Sequence, residues 1–149
     1  MMGFLFELQA GKQEEAAYNY NTDINERNAD VAEQQGEQLV FQEEQNIVDF
    51  RKQFDDLQAA TSQAFRYNGW IASEGTPLKV ALANAQEADE EIATRRYNAK
   101  VGRAELNEQA TQERMQGQLN RMYGRAANIR GKARAAASLI QTASSFASV

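Results

Sequence analysis

Residues 68–80 read NGWIASEGTPLKV and contain the only proline of the chain, Pro77, and its only tryptophan, Trp70. Gly75 is free to adopt the left-handed backbone conformation that is common at helix boundaries. Thr76 is suited to cap a following helix, and Pro77 suits its first position, where the missing N–H costs nothing. The stretch therefore predicts a turn between two antiparallel helices, with Trp70 packed as an anchor at the tip.

Long segments with few helix breakers lie on both sides of this turn. They predict an all-α fold, an extended antiparallel hairpin of two long, coiled-coil-like helices that assembles with neighbouring copies. Gly36 lies in the middle of the first helix, and its poor helix propensity predicts a bend or break there. The single domain is expected to comprise an apolar lead at 1–10, an acidic Gln/Asn-rich helix at 11–72, a turn at 73–77 and a second helix at 76–145.

Composition limits both the core and the chemistry of this chain. Of its 149 residues, 42% are hydrophobic and 9% are aromatic, so a thick apolar core is hard to build and neighbours are expected to add to it. Cysteine and histidine are both absent, which excludes disulfides, thiolate metal sites and the usual zinc ligand sets.

In the second helix, apolar residues recur at alternating steps of three and four, which is the heptad repeat of a coiled coil. Three of the eight positions from Met115 to Ile140 are alanines, and small side chains allow a close approach between helices. The series predicts the seam with the partner helix or a neighbouring subunit: Met115, Leu119, Met122, Ala126, Ile129, Ala133, Ala136 and Ile140. A noisier apolar series runs along the first helix: Ile24, Val31, Leu39, Ile47, Phe50, Phe54, Leu57 and Phe65.

Three glycines of the second helix, Gly117, Gly124 and Gly131, are seven residues apart and so lie on one face. One interpretation is a groove in which another helix packs closely. The other is a membrane face similar to a GxxxG motif, but its spacing differs and arginines flank it. Close packing is the preferred interpretation.

Charge is distributed unevenly along the chain. Residues 1–75 carry five Lys/Arg and fourteen Asp/Glu, a net of −9, whereas residues 76–149 carry eleven and seven, a net of +4. Some of the late arginines are expected to pair with the acidic first helix or a neighbouring subunit, and others to contact an anionic partner such as DNA or lipid phosphate. The candidates for that contact are Arg121, Arg125, Arg130, Lys132 and Arg134.

No catalytic, cofactor-binding or metal-binding residues are predicted. Adjacent carboxylates occur at 43–44, 55–56 and 89–91, but their polar surroundings indicate solvated helix faces rather than the contrasting environments of an acid–base pair. A phosphate-binding glycine loop after a strand is also missing from the sequence.

The ends of the chain are apolar but short. MMGFLFEL reaches Glu7 too soon to cross a bilayer, and no other window of the sequence is long and apolar enough. The uncharged tail offers Leu139, Ile140 and Phe146 for docking on a membrane or a partner. The alternative is that the tail closes the helix seam, and the sequence does not decide between the two.

Four stretches resemble the small internal virion, or DNA-ejection, proteins of tailed and especially short-tailed bacteriophages. They are NERNADVAEQQGE at 25–37, ASEGTPL at 72–78, ALANAQEADEEIATRRYNAKVGRAE at 81–105 and GRAANIRGKARAAASLIQTASSF at 124–146. The resemblance implies a structural protein packaged near the portal and tail, which on release helps to form the genome-delivery conduit across the host envelope.

The expected partners are further copies of the chain, other virion proteins such as the portal, the tail tube or other internal proteins, possible nonspecific DNA contacts and the host membrane. Two alternatives stay open. One is a static neck or tail component, such as an adaptor, nozzle or fibre-associated hairpin, and the other is a generic coiled-coil scaffold protein.

Overall fold

The computed structural model describes the backbone of residues 2–147 and the side chains of residues 3–141 and 143. Two helices, α1 (Met2–Tyr67) and α2 (Gly75–Ala147), form an antiparallel hairpin, and the described residues contain no strand. The predicted all-α hairpin fold is therefore confirmed.

Helix α1 begins at Met2, so the described part of the apolar lead at 1–10 belongs to the helix instead of preceding it. Phe4 and Leu8 are half-buried, and Gly11 is fully buried against α2. These three positions continue the heptad spacing of the buried face toward the N-terminus, which explains why the helix extends so far. At its other end α1 stops at Tyr67, short of the predicted limit at residue 72.

The break predicted near Gly36 does not occur, because α1 is continuous through it, and the bend stays a prediction. Gly36 is buried, and a methyl group at this position would lie 3.2 Å from Cγ of Arg103 on α2. The glycine therefore makes room for a neighbouring side chain, and the packing compensates for its weak helix propensity.

The C-terminus of α1 is closed by a Schellman motif. Gly69 adopts a positive φ of 79°, the Trp70 N–H donates to the Phe65 carbonyl at 3.0 Å, and the Gly69 N–H donates to the Arg66 carbonyl at 3.0 Å. This pairing of a left-handed glycine with two reversed hydrogen bonds satisfies carbonyls that the helix end would otherwise leave free. The Asn-Gly dipeptide at 68–69 is the sequence signal for it.

The rest of the turn differs in part from the prediction. Gly75 has a positive φ of 61°, as expected, but α2 already begins there, and the hydroxyl of Thr76 makes no capping hydrogen bond to the described residues. Pro77 lies buried in the first turn of α2, as its third residue and not at the predicted first position. Trp70 is 55% exposed, so the prediction that it anchors the tip by packing is wrong.

The helices pack in two compact units, one formed by Met1–Ala32 with Asn107–Val149 and the other by Glu33–Leu106. In the first unit the buried side chains are small: Ala29, Ala32, Ala110, Ala127, Ala135 and Thr22. In the second unit they include two isoleucines: Ile47, Ala88, Ile92 and Ala99. Since small side chains remove little apolar area from water, each unit is held by close approach more than by a thick core.

Candidate functional site

The helices of the first unit meet along a face of very small residues. Gly11 of α1 lies against Gly131 of α2, and a methyl group at Gly131 would lie 2.9 Å from the Gly11 Cα and 3.2 Å from the Glu7 carbonyl oxygen. At Gly124 the corresponding distance to Cβ of Tyr18 is 3.1 Å. The preferred interpretation of the heptad glycines, a groove in which another helix packs closely, is therefore confirmed.

Polar groups are built into the same face. The hydroxyl of Thr22 is buried and lies within hydrogen-bond distance of two carbonyl oxygens, that of Tyr18 at 3.0 Å and that of Gly117 on α2 at 3.1 Å. The side-chain amide nitrogen of Asn25 is also buried, but it has no hydrogen-bond partner among the described residues. A polar group within a coiled-coil seam disfavours other registers at some cost in stability.

Ion pairs flank the packed face of the first unit. Arg114 contacts Asp30 at 3.2 Å, and Arg121 contacts Glu26. The side-chain amide of Asn128 also donates to Glu15. These contacts confirm the expectation that some of the late arginines pair with the acidic first helix, and Arg121 is exposed but paired within its own hairpin.

The second unit has its own pairs between the helices. Arg96 makes a two-pronged contact with Glu44, from Nε at 2.9 Å and from Nη2 at 3.1 Å, and Arg95 lies 3.7 Å from Glu43. The hydrogen bond from Arg96 is the main reason that the pKa of the Glu44 carboxyl lies below its ordinary value of 4.5. Arg95 also lies over the Phe50 ring, 5.2 Å from its centroid. Because Glu43 and Glu44 each contact an arginine of α2, these two carboxylates take part in contacts between the helices.

The apolar series predicted as the seam of α2 does not face α1. Each of the buried glycines Gly117, Gly124 and Gly131 follows a member of the series by two residues, which is about 200° around the helix, and the large members are exposed, from 40% at Leu119 to 71% at Ile140. We name this surface the outward α2 stripe: Met115, Leu119, Met122, Ala126, Ile129, Ala133, Ala136 and Ile140. As the seam between the two helices the prediction is wrong, whereas contact with a neighbouring subunit stays a prediction.

The apolar series of α1 is divided between two faces. Ile47 is buried and Phe50, Phe54 and Phe65 are half-buried, whereas Leu39 and Leu57 are exposed in the second unit. In the first unit the exposed members continue a series that sequence reasoning missed. We name it the outward α1 stripe: Phe6, Ala10, Ala17, Tyr20, Ile24 and Val31. Its signal was a seven-residue repeat interrupted by Gln13 and Arg27.

The remaining predicted basic residues are exposed. Arg130 donates to the Ala126 carbonyl of its own helix at 3.4 Å. Arg125, Lys132 and Arg134 have no carboxylate partner among the described side chains. They remain available to an anionic surface.

The structure describes the side chains of only two of the three predicted docking residues of the tail. Leu139 is 43% exposed and Ile140 is 71% exposed, so neither closes the seam with α1. Phe146 lies outside the residues whose side chains the structure describes.

Two other kinds of site are absent from the described residues. Among the described residues, no group of three or more acidic side chains is arranged to hold a metal ion. Neither helix, over its described length, contains a segment apolar enough to span a membrane.

Comparison with family models, with curated proteins and with solved structures found no match to this chain.

Proposed function

We propose that this chain is a non-enzymatic structural protein that works as one of several copies in a larger assembly. One observation carries the proposal: the first unit buries its small residues and exposes its large ones. Ile129 and Ile140 are 66% and 71% exposed, whereas Gly117, Gly124 and Gly131 are buried between the helices.

The energetic reason is the area removed from water. Burial of an apolar side chain such as isoleucine contributes about 1.5–3 kcal/mol, and alanine or glycine contributes far less. A hairpin that leaves its large apolar residues in regular stripes gains most by covering those stripes. Exposed contiguous apolar surface of this kind is typical of interaction sites.

The setting we propose is the virion of a tailed bacteriophage. The support for this setting is the resemblance of the sequence to internal virion proteins. In that role the chain is packaged near the portal and tail, contacts other virion proteins, and after release helps to form the genome-delivery conduit at the host envelope. Regular packing of small residues between the helices suits such a role, since it keeps the two helices close together and gives each copy the same surface for contact with its neighbours.

The test of this setting is the location of the protein before and after infection. Particles carrying a labelled copy of the chain should contain it when intact and lose it when the genome has been delivered. Retention in emptied particles would contradict ejection and support the second candidate, a static neck or tail component. Absence from intact particles would contradict both and leave a generic coiled-coil scaffold.

The test of assembly needs only the purified chain. Sedimentation equilibrium across a hundredfold range of concentration should give a mass that rises above that of one chain, and thermal unfolding should shift upward with concentration. A folded monomer with a concentration-independent transition would contradict the proposal.

A further inference from the structure

Two outward stripes remain uncovered in the first unit, one on each helix. Phe6, Tyr20 and Ile24 of the outward α1 stripe are 74%, 67% and 40% exposed. In the outward α2 stripe Met122 is 57% exposed and Ile129 is 66% exposed. Each stripe lies on the side of its helix opposite the face that packs within the hairpin.

We infer that the occupant of the outward α2 stripe is the outward α1 stripe of a second copy of this chain. The inference rests on the proposed function and names the partner and the surfaces that the assembly uses. Three features of the first unit carry it: the spacing of the two stripes, their position along the helices and the charges beside them.

The spacing of the stripes suits helix packing. Both follow steps of three and four residues, the same repeat by which α1 and α2 pack on each other within the hairpin. The α2 stripe is apolar at every step from Met115 to Ile140. The α1 stripe contains two polar members, Gln13 and Arg27, so it is the weaker of the two surfaces.

The positions of the stripes along the hairpin also match. Gly11 contacts Gly131 and Thr22 contacts Gly117, so residues 6–24 of α1 lie beside roughly residues 117–135 of α2. This shared stretch is about 27 Å long at 1.5 Å per residue. Copies placed side by side in the same direction, without an axial offset, therefore bring α2 of one copy antiparallel to α1 of the next.

The charges that border the two stripes are opposite in sign, and the only charge within either stripe is Arg27 of the α1 stripe. The positions that border the α1 stripe carry Glu7, Glu14, Asp23 and Asp30 and no basic residue. Those that border the α2 stripe between residues 116 and 132 carry Arg125, Arg130 and Lys132 and no acidic residue. Asp30 is already engaged by Arg114 of its own chain, whereas Glu14 and Asp23 have no cationic partner among the described side chains.

This arrangement selects one mode of pairing. Packing of α1 on α1, or of α2 on α2, would place like charges beside each other, which costs binding free energy. Packing of α1 on α2 places opposite charges together. Because each copy presents one surface of each kind, the contact is heterologous and continues to further copies, as a ring if the rotation closes and as an open array if it does not.

The experiment uses two charge-reversed forms of the full chain. The first carries Arg125→Glu with Lys132→Glu, and the second carries Glu14→Lys with Asp23→Lys. None of these side chains has an ion-pair partner among the described residues, so the helical circular dichroism should remain unchanged. Each form alone should associate at least about tenfold more weakly than the unmodified chain, since like charges now meet.

An equimolar mixture of the two forms should assemble again. In the mixture, the acidified α2 of the first form meets the basic α1 of the second, and the original acidic α1 meets the original basic α2. The matched control is Lys79→Glu with Lys100→Glu, which changes net charge equally in the second unit and should leave association unchanged.

The outcomes separate the inference from the proposed function. If the unmodified chain assembles but the reversals change nothing, or the mixture fails to restore association, the inference is overturned while the structural role stands. If the unmodified chain stays monomeric and instead binds vesicles of phosphatidylglycerol and phosphatidylcholine, the α2 stripe serves an anionic membrane and the inference is overturned together with the multi-copy role. A folded monomer that binds no vesicle also overturns both the inference and the multi-copy role.

Discussion

Gly11 and Gly131 pack backbone against backbone, and a methyl group added at Gly131 would lie 2.9 Å from the Gly11 Cα. Atoms of side chains can rotate away from such a contact, but main-chain atoms can move only if the helices separate. This pair therefore marks the closest approach that the structure describes for the glycine face, and it makes residue size at these positions a determinant of stability.

Gly131→Ala should destabilise the hairpin. Alanine favours a helix by about 1 kcal/mol over glycine, but overpacking against fixed backbone costs about 1–3 kcal/mol, and we expect a net loss with a lower urea midpoint. The matched control is Gly117→Ala on the same face, where the added methyl would make ordinary contacts of 3.6 Å with Thr22 and Asn25. Equal stability changes in the two variants would contradict the tight approach.

Thr22→Val should lower the free energy of unfolding by about 1 kcal/mol, because it replaces a buried hydroxyl that reaches Gly117 across the helices with a methyl group of similar size. The control is Thr61→Val, whose hydroxyl contacts only the Leu57 carbonyl of its own helix at 2.8 Å. Chemical denaturation of both variants measures the difference. A loss at Thr61 as large as at Thr22 would assign the effect to the hydrogen bond that each hydroxyl makes within its own helix.

Asn25→Ala should stabilise the hairpin, because the buried amide nitrogen has no hydrogen-bond partner among the described residues and an unsatisfied group costs about 1–3 kcal/mol. Part of any gain comes from the better helix propensity of alanine. Asn46→Ala measures mainly that part, since Asn46 is exposed and its hydrogen bond to Glu43 at 3.1 Å contributes little in water. A thermal midpoint that rises no more for Asn25 than for Asn46 would show that the amide is satisfied in solution.

Acid should weaken the second unit through Glu44. The hydrogen bond from Arg96 lowers the pKa of this carboxyl in the folded chain below 4.5, so the folded state binds its proton more weakly than the unfolded state does. The stabilisation is present above about pH 4.5 and is lost as the pH falls through the folded pKa. It is small, because both side chains are nearly half exposed.

The measurement for Glu44 compares urea midpoints at pH 7 and pH 3. The midpoint of Glu44→Gln should fall less between these pH values than that of the unmodified chain. Glu37→Gln is the control, because Glu37 is exposed and has no cationic partner among the described side chains. Identical pH dependence in the unmodified chain and Glu44→Gln would contradict a role for this pair.

The turn and the helix period could be predicted from local sequence. Asn68, Gly69 and Pro77 stop one helix and start the next through their own backbone preferences, and those preferences act whatever the rest of the chain does. The heptad repeat of α2 was equally readable, since it depends only on the order of residues. Two helices joined at residues 68–74 confirm the turn and the helical period, although the turn begins earlier than the predicted 73–77.

The sequence alone did not determine which heptad series faces α1. Hydrophobicity favours the series that contains Met122 and Ile129, and only the register of Gly11 against Gly131 reveals that the smaller series packs inside. The tertiary structure decides this because close contact between two backbones depends on both helices at once. The residue types of one helix do not show which of its faces contacts the other helix. Trp70 was mispredicted for the same reason, since its exposure depends on what the turn places beside it.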